Sequence, residues 1–305
     1  MTGMPFHIRP DADFTKSFRE AAAGQLQAAL DIIEQRPEGT HQAIHAFRKN
    51  LKKVRSLYRL VAADARKFQK RENVRLRETA RSLSAIRDAE ALIETVRYLK
   101  SEAQDPEEAS ALDRIAAILE TRRNWMTEAE AGIDAKLRET SEALRRAIGA
   151  LDDISFPASR TKAAKLVAKG WKRTAAKAHE ARDACHGEAS DEAFHELRKR
   201  TQDYRAHHRL LSPLWPSAMT AKRAAAKELV DRLGHVHDLA VLRSLVEAEP
   251  QLFTRSDDLA HLLDAIIRRQ QEDRRLALAQ AGEIFADDPD EEARRISLLW
   301  DAAAN

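Results

Sequence analysis

Two stretches of the chain carry basic side chains at a spacing that would place them on one face of a helix. The first begins at His45 and the second at His195, so 195 − 45 = 150 residues separate them. At about 100° per residue, each stretch has a cationic face and an opposite apolar face. The cationic faces comprise His45, Arg48, Lys49, Lys52, Arg55 and Arg59 in the first stretch, and His195, Arg198, Lys199, Arg205 and Arg209 in the second.

Side chains of these types suit the binding of a polyanion. Arginine grips phosphate oxygens with two parallel hydrogen bonds, and lysine supplies a mobile point charge. A charged helix face is often no more than solvated surface, and that interpretation stays open for either stretch alone. Two features favour binding: the pattern recurs position for position, and residues 41–60 contain six Lys/Arg and no Asp/Glu, whereas a face built for solubility would interleave glutamate.

Further basic residues could extend this surface. Lys165, Lys169 and Arg173 share one face of the helix predicted before the second basic stretch, although a solvated face explains them equally well. His45 and His195 head the two basic faces. Each is either a cap or core hydrogen-bonding residue or a donor to phosphate that would act more strongly below its pKa of about 6.5.

Two aspartates occupy matching positions in the following helices. Asp88 comes after Arg87, and Asp238 comes after His237. Each carboxylate is predicted to orient neighbouring basic side chains, and the alternative is an ordinary surface acid. Because basic residues precede both aspartates, Arg87 is added to the predicted binding residues.

Metal-binding and nucleophilic sites find little support. His235 and His237 are two residues apart, so on a helix their side chains diverge by about 200°. His207 and His208 align with Leu57 and Tyr58 of the first copy, which indicates packing. The sequence contains no Gly-rich phosphate loop, Gly-x-Ser-x-Gly or Cys-x-x-Cys. We therefore predict no catalytic constellation, no metal and no cofactor.

The elements that must position these residues are helices. Ala, Leu, Glu, Arg and Lys dominate, and there are only nine Gly and nine Pro, which favours an all-α fold. The 150-residue register divides the chain into four-helix halves at residues 1–151 and 152–305. Predicted helices cover residues 13–35, 40–63, 67–101 and 107–151 (the last either continuous or broken near Gly132), then 162–185, 191–211, 217–248 and 256–285, with a short helix after Pro289.

Composition bounds the location and partners. The single Cys185 cannot form an internal disulfide, and no run of about 18 apolar residues or secretory leader is apparent, which predicts a cytoplasmic protein without membrane spans. The net charge is only +3, so the distribution of charge is more informative than its total.

The paired motifs resemble those of the CHAD family, the conserved histidine α-helical domains. The basic stretch resembles the first family signature, and Leu83 to Glu90 resembles the second, usually Leu-Gly-x-x-Arg-Asp-x-Asp. The second copy, Leu233 to Ala240, has His237 in place of the usual arginine and Ala240 in place of an acid. The resemblance implies two pseudo-twofold-related four-helix bundles with long antiparallel helices, whose basic helices meet around a central cationic groove or pore.

The resemblance also implies a non-catalytic, free-standing module that binds inorganic polyphosphate, in cells at polyphosphate granules. Two alternatives remain: a helical metal-dependent phosphohydrolase that uses His237 and Asp238, and a nucleic-acid-binding module. The second is disfavoured because only 5% of residues are aromatic and none interleaves with the basic stretch. Gln202, Asp203 and His237 make the second copy less basic, so the first copy is expected to bind more strongly.

Overall fold

The computed structural model describes residues 6–129 and 132–303, without the side chains of residues 84–87 and 127–129. No β-strand occurs in these ranges, so the all-α prediction is confirmed. No helix in the same ranges is long and apolar enough to cross a bilayer. The α-helices are α1 Phe14–Gln35, α2 Thr40–Leu60, α3 Arg66–Arg81, α4 Ser84–Ser101, α5 Pro106–Ala129, α6 Ile133–Gly149, α7 Arg160–Asp183, α8 Asp191–Leu210, α9 Pro216–Ala248, α10 Ser256–Ile284 and α11 Pro289–Ala303.

The predicted third helix, residues 67–101, is wrong as one continuous element. It is divided into α3 and α4 at Leu83, whose φ of −113° and ψ of 22° leave the helical region. Leu76 and Leu83 belong to one hydrophobic cluster, whereas Ile93 and Val96 belong to another. Helices α3 and α4 therefore pack in different hydrophobic clusters, although a change of cluster does not by itself require a break, since α9 joins both clusters as one helix.

The predicted fourth helix follows the second of its two alternatives and breaks near Gly132. Gly132 has φ 100° and ψ 13°, a left-handed conformation that costs glycine no steric penalty. Helix α5 ends before it and α6 begins directly after it. The remaining predicted helices agree with the observed ones to within about three residues, which is the usual uncertainty at helix ends.

Two hydrophobic clusters form the core. The larger cluster combines residues from α1–α3, α6–α8 and α11 with the first part of α9 and the last part of α10. The smaller cluster lies between α4, α5, the last part of α9 and the first part of α10. With 33 residues, α9 is about 50 Å long and connects both clusters. Each cluster contains residues from both sides of residue 151, so the division into halves stays a prediction about the repeat.

The basic helices α2 and α8 are fixed by their apolar faces. Phe47 and Leu51 of α2 and Leu197 and Tyr204 of α8 are at most 1% exposed. The two helices pack against each other, and α8 also packs on α9. Burial of these faces turns the opposite, basic faces toward solvent and toward one another.

The end of α2 is crossed closely by α7 at Gly170. A Cβ atom built on Gly170 would lie 1.9 Å from the backbone oxygen of Leu60, so the two helices can approach only because Gly170 has no side chain. Gly282 of α10 has open space around the equivalent position.

We predict that Gly170→Ala destabilises the protein and that Gly282→Ala does not. The clash in Gly170→Ala forces the backbones apart, with an expected loss of about 1–3 kcal/mol in the free energy of unfolding, or more. Gly282→Ala should change stability by at most about 1 kcal/mol, in the stabilising direction, because alanine is the better helix former. Denaturant unfolding measures both variants, and equal stabilities would contradict the close crossing.

Candidate anion-binding site

The basic faces of α2 and α8 meet in a cluster that also involves α9. We call Arg48, Lys52, Arg55, Arg198 and Asp238 the central cluster. Lys52 is exposed, yet desolvation is the main cause that lowers its pKa to about 8, followed by the charges of Arg198 and Arg48. The ammonium of Lys52 is thus influenced by cations of both α2 and α8.

Helix α3 positions two arginines of this cluster through neutral acceptors. Arg48 donates from Nη1 to the backbone oxygen of Ala80 at 3.0 Å, in the last turn of α3, where carbonyls lack helical partners. Arg55 donates from Nε to Oδ1 of Asn73 at 2.8 Å. Burial lowers the pKa of Arg55 to about 10, so it stays charged at neutral pH. A carbonyl and an amide thus orient these guanidinium groups without neutralising them.

Arg198 is the α8 member of the central cluster. Its Nη1 lies 3.9 Å from Oδ1 of Asp238, and a Cβ atom on Gly234 would stand only 3.1 Å from its Nη2. Asp238 is thus placed where an orienting carboxylate would be, and this role stays a prediction. Asp88 is exposed on α4. The side chain of Arg87 lies outside the described residues.

The two histidines that head the basic faces are both half-buried. The ring of His195 lies 4.2 Å, centroid to centroid, from the ring of His237. Burial, together with the proximity of His237 and Lys199, lowers the pKa of His195 to about 4. Without a bound anion, His195 is therefore expected to be neutral at pH 6.5, because desolvation disfavours the imidazolium, and its donation to phosphate stays a prediction.

A second cluster of cations lies where α2, α8 and α9 adjoin. We call Lys53, Arg205, Arg209 and Arg223 the α8–α9 cluster. Lys53 and Arg223 are not among the binding residues predicted from the sequence. Lys53 falls about 80° from His45 on the helix, outside the basic face, and Arg223 belongs to neither signature. The 150-residue register was the signal available in the sequence, since it relates Lys53 to Asp203 and Asn73 to Arg223.

The charges of the α8–α9 cluster act on one another. Lys53 donates from Nζ to Oε1 of Gln25 at 2.9 Å and to Oδ1 of Asn50 at 3.0 Å. Desolvation, followed by the charges of Arg209, Lys49 and Arg205, lowers its pKa to about 8. The pKa values of Arg205 and Arg209 are likewise lowered, first by burial, and the charge of Arg223 contributes to both shifts.

Arg59 has a different environment, because a carboxylate reaches it from α8. Asp203, 3% exposed, accepts from Nη1 of Arg59 at 2.6 Å and from Oγ of Ser56 at 2.5 Å. Arg200 lies 3.8 Å from the other carboxylate oxygen. We call Ser56, Arg59, Arg200 and Asp203 the Asp203 cluster. Here the positive charge of α2 is largely balanced.

The other predicted binding residues are either paired with acids or exposed to solvent. Lys169 forms an ion pair with Asp64 at 3.3 Å, and Lys165 and Arg173 are exposed on α7. Lys199 is paired with Glu196 at 2.6 Å on its own helix, and Lys49 is exposed. Their part in binding stays a prediction.

The far bundle, built around the smaller hydrophobic cluster, uses its arginines differently. There, arginines pair with carboxylates, among them Arg114 with Asp258 at 2.6 Å and Arg122 with Glu249 at 2.5 Å. Glu108 and Asp258 are at most 4% exposed, and a buried carboxylate without a partner would be costly. The far bundle therefore pairs its buried acids with arginines, whereas Arg48, Lys53 and Arg55 of α2 donate to uncharged acceptors.

The histidine pairs show no convergence on a metal. His235 stacks on Tyr98 at 3.9 Å while His237 stacks on His195, so their rings diverge as predicted. His207 and His208 are buried and bonded to backbone oxygens, which confirms their packing role. Among the described residues, no group of three or more His, Cys, Asp or Glu could hold a metal ion.

Comparisons with known proteins agree with this architecture. The crystal structure of the CHAD domain from the plant Ricinus communis aligns with a TM-score of 0.55 over 97% of this chain and 96% of that chain. Its sequence is 18% identical, so this likeness shows the fold alone. No curated protein matches the chain. The sequence pattern of the CHAD domain matches residues 21–247, about three quarters of the chain, and the chain therefore belongs to the CHAD family.

Proposed function

We propose that this protein binds inorganic polyphosphate along the basic faces of α2 and α8 and does not transform it. The observation that supports the proposal is that Lys52 of α2 and Arg198 of α8 are close enough for the charge of Arg198 to lower the pKa of Lys52. These two residues come from stretches 150 residues apart, so the fold has gathered like charges that repel. A bound polyanion would add negative charge beyond that of Asp238.

The energetics favour a ligand over a merely solvated surface. Exposed like charges are partly screened by water, but desolvation, followed by neighbouring cations, lowers the pKa values of Lys52 and Lys53 to about 8. Each charge-assisted hydrogen bond to a phosphate contributes roughly 1.5–3 kcal/mol. A few such bonds would offset the repulsion and leave a net gain.

The family membership supports the same ligand, since CHAD domains bind polyphosphate in general. The groove, the cytoplasmic location and the association with polyphosphate granules belong to our proposal. An extended inorganic chain suits a site built from two long helices, because repeated phosphates can meet repeated cations. By analogy with nucleic acids, affinity should fall as salt rises, through release of counterions.

Direct assays distinguish polyphosphate binding from the two alternative functions, phosphohydrolysis and nucleic-acid binding. A metal-dependent phosphohydrolase would hold a divalent cation at His237 and Asp238, but Arg198 and Lys52 act on these residues and would repel it. Release of phosphate from polyphosphate or nucleotides with added Mg²⁺ or Mn²⁺ would support that function. Displacement of bound polyphosphate by equal phosphate concentrations of DNA or RNA would support nucleic-acid binding.

Charge reversal provides the main test. We predict that the combined change of Arg48, Arg55, Arg198 and Arg205 to Glu abolishes binding of long-chain polyphosphate, because it replaces four attractive contacts with repulsion. Isothermal titration calorimetry at physiological salt measures the loss.

The matched control reverses charges in the far bundle. Arg97→Glu combined with Lys100→Glu removes exposed surface pairs with Glu120 and Asp113, which contribute little to stability. This variant should bind polyphosphate within about twofold of the unmodified protein. Retained affinity in the fourfold variant, with its circular dichroism unchanged, would rule out the proposed site.

Binding should also depend on pH through the two crowded lysines. Below pH 8 Lys52 and Lys53 are protonated, and phosphate stabilises that form, so affinity is greatest there. As pH rises above about 8, each lysine must take up a proton before phosphate can bind to it. Each lysine then weakens the affinity by at most about tenfold per pH unit. The measurement is calorimetric titration of long-chain polyphosphate from pH 7 to 9.5.

A variant with both Lys52→Gln and Lys53→Gln isolates this contribution. It meets the same ligand, so any titration of the phosphates themselves is common to both proteins. Its affinity should be lower at pH 7 and should change less with pH. Parallel profiles for the two proteins would contradict a role for these lysines.

A further inference from the structure

The two ends of the basic site differ in how their charges are balanced. Two pairs of matched positions account for the difference: 203 − 53 = 150 and 223 − 73 = 150. In each pair, the residue beside the arginines of α2 is an anion or a neutral amide, Asp203 or Asn73. The residue beside the arginines of α8 is a cation, Lys53 or Arg223.

At the α2 end, a buried carboxylate offsets part of the positive charge. Arg59 is bonded to Asp203 at 2.6 Å, whereas Arg55 is bonded to the uncharged amide of Asn73 at 2.8 Å. The charge of Asp203 also acts on Arg55 and favours its protonated form. A phosphate that approached Arg59 would have to compete with a carboxylate that is itself almost fully buried.

At the α8 end, the corresponding arginines face further cations. Among the described residues, no ion pair joins Lys53, Arg205, Arg209 or Arg223 to a carboxylate. Asp231, the acid whose charge acts on Arg205, is already paired with Lys227 at 2.6 Å. Lys53 is held in place by two amide oxygens, which leave its charge intact.

We propose that Lys53, Arg205, Arg209 and Arg223 form a distinct subsite for a short run of phosphates, which is occupied first and anchors a longer chain. This inference rests on the proposed function and adds to it the order in which parts of the polyphosphate chain are bound. Arg205 and Arg209 are one turn apart on α8, about 6 Å along its axis, so they can grip neighbouring phosphates. The charge of four cations is matched better by an oligophosphate than by a single carboxylate or a single phosphate.

A longer chain could continue from this subsite into the central cluster. Arg198 lies on the same face of α8, seven residues before Arg205 and therefore about 10 Å along the helix axis. The arginines of the second copy then bind phosphate more strongly than those of the first, which reverses the order expected from the sequence. Lys53 belongs to the first copy but adds its positive charge beside the arginines of the second. Asp203 belongs to the second copy but places its negative charge beside Arg59 of the first.

Titration calorimetry with tripolyphosphate tests the subsite. The unmodified protein should bind one tripolyphosphate, and Arg223→Gln should weaken that binding about tenfold or more, because one charged donor is lost. Long-chain polyphosphate should lose only about two- to threefold, since the central cluster still holds it. Arg97→Gln, the same chemical change on α4 in the far bundle, should leave both affinities unchanged.

Melting temperature without ligand provides a second readout. Removing one of four mutually repelling cations should leave the melting temperature of Arg223→Gln unchanged or raise it, whereas loss of a purely structural residue would lower it. If that variant does not fold, Lys53→Gln tests the same subsite and should show the same loss of tripolyphosphate binding.

The outcomes separate the subsite from the proposed function. Failure of the unmodified protein to bind long-chain polyphosphate would overturn the proposed function. Long-chain binding without tripolyphosphate binding would overturn the subsite alone. Equal weakening of tripolyphosphate binding by Arg223→Gln and Arg55→Gln would also overturn it, because both ends would then contribute alike.

Discussion

Burial of the apolar faces of α2 and α8 holds their repelling basic faces together. Phe47 and Leu51 on α2, with Leu197 and Tyr204 on α8, are almost completely inaccessible to water. Each such side chain contributes about 1.5–3 kcal/mol on burial, which exceeds the repulsion between cations that water still screens. The cationic site therefore depends on packing on the opposite side of the same helices.

The protein treats its arginines in two ways. In the far bundle they face carboxylates, and Asp258 and Glu108 are buried and require that compensation. Beside the central cluster, Arg48 and Arg55 are oriented by a backbone carbonyl and an amide. Neutral acceptors fix the direction of a guanidinium group and preserve its charge, which is the combination that a site for anions requires.

One carboxylate makes the site unequal at its two ends. Asp203 joins α8 to Ser56 and Arg59 of α2, so it stabilises the contact between the helices and also uses up positive charge. The matched residue, Lys53, bonds to uncharged partners and adds repulsion. Repulsion kept at one end is a local cost in stability of the kind that proteins tolerate at functional sites.

The sequence predicted much of the fold because helical periodicity is a local property. The faces of α2 and α8 and the helices around them follow from spacing along one segment. The break near Gly132 was one of two alternatives that the sequence left open. The break at Leu83 could not be predicted, because no Gly or Pro marks it and Leu83 continues the apolar spacing of the helix. Which cluster each helix joins is visible only when the helices are packed.

By itself, the sequence determined an all-α fold, two basic helices in a 150-residue register and the family signatures they carry. Only the tertiary structure decided which charges meet. An angle around one helix tells which face a side chain occupies, but a neighbouring helix decides whether that face meets Asp203, Asn73 or Arg223. For this reason Lys53, which lies outside the basic face of α2, joins the arginines of α8, and Arg59, which lies within it, is balanced by Asp203.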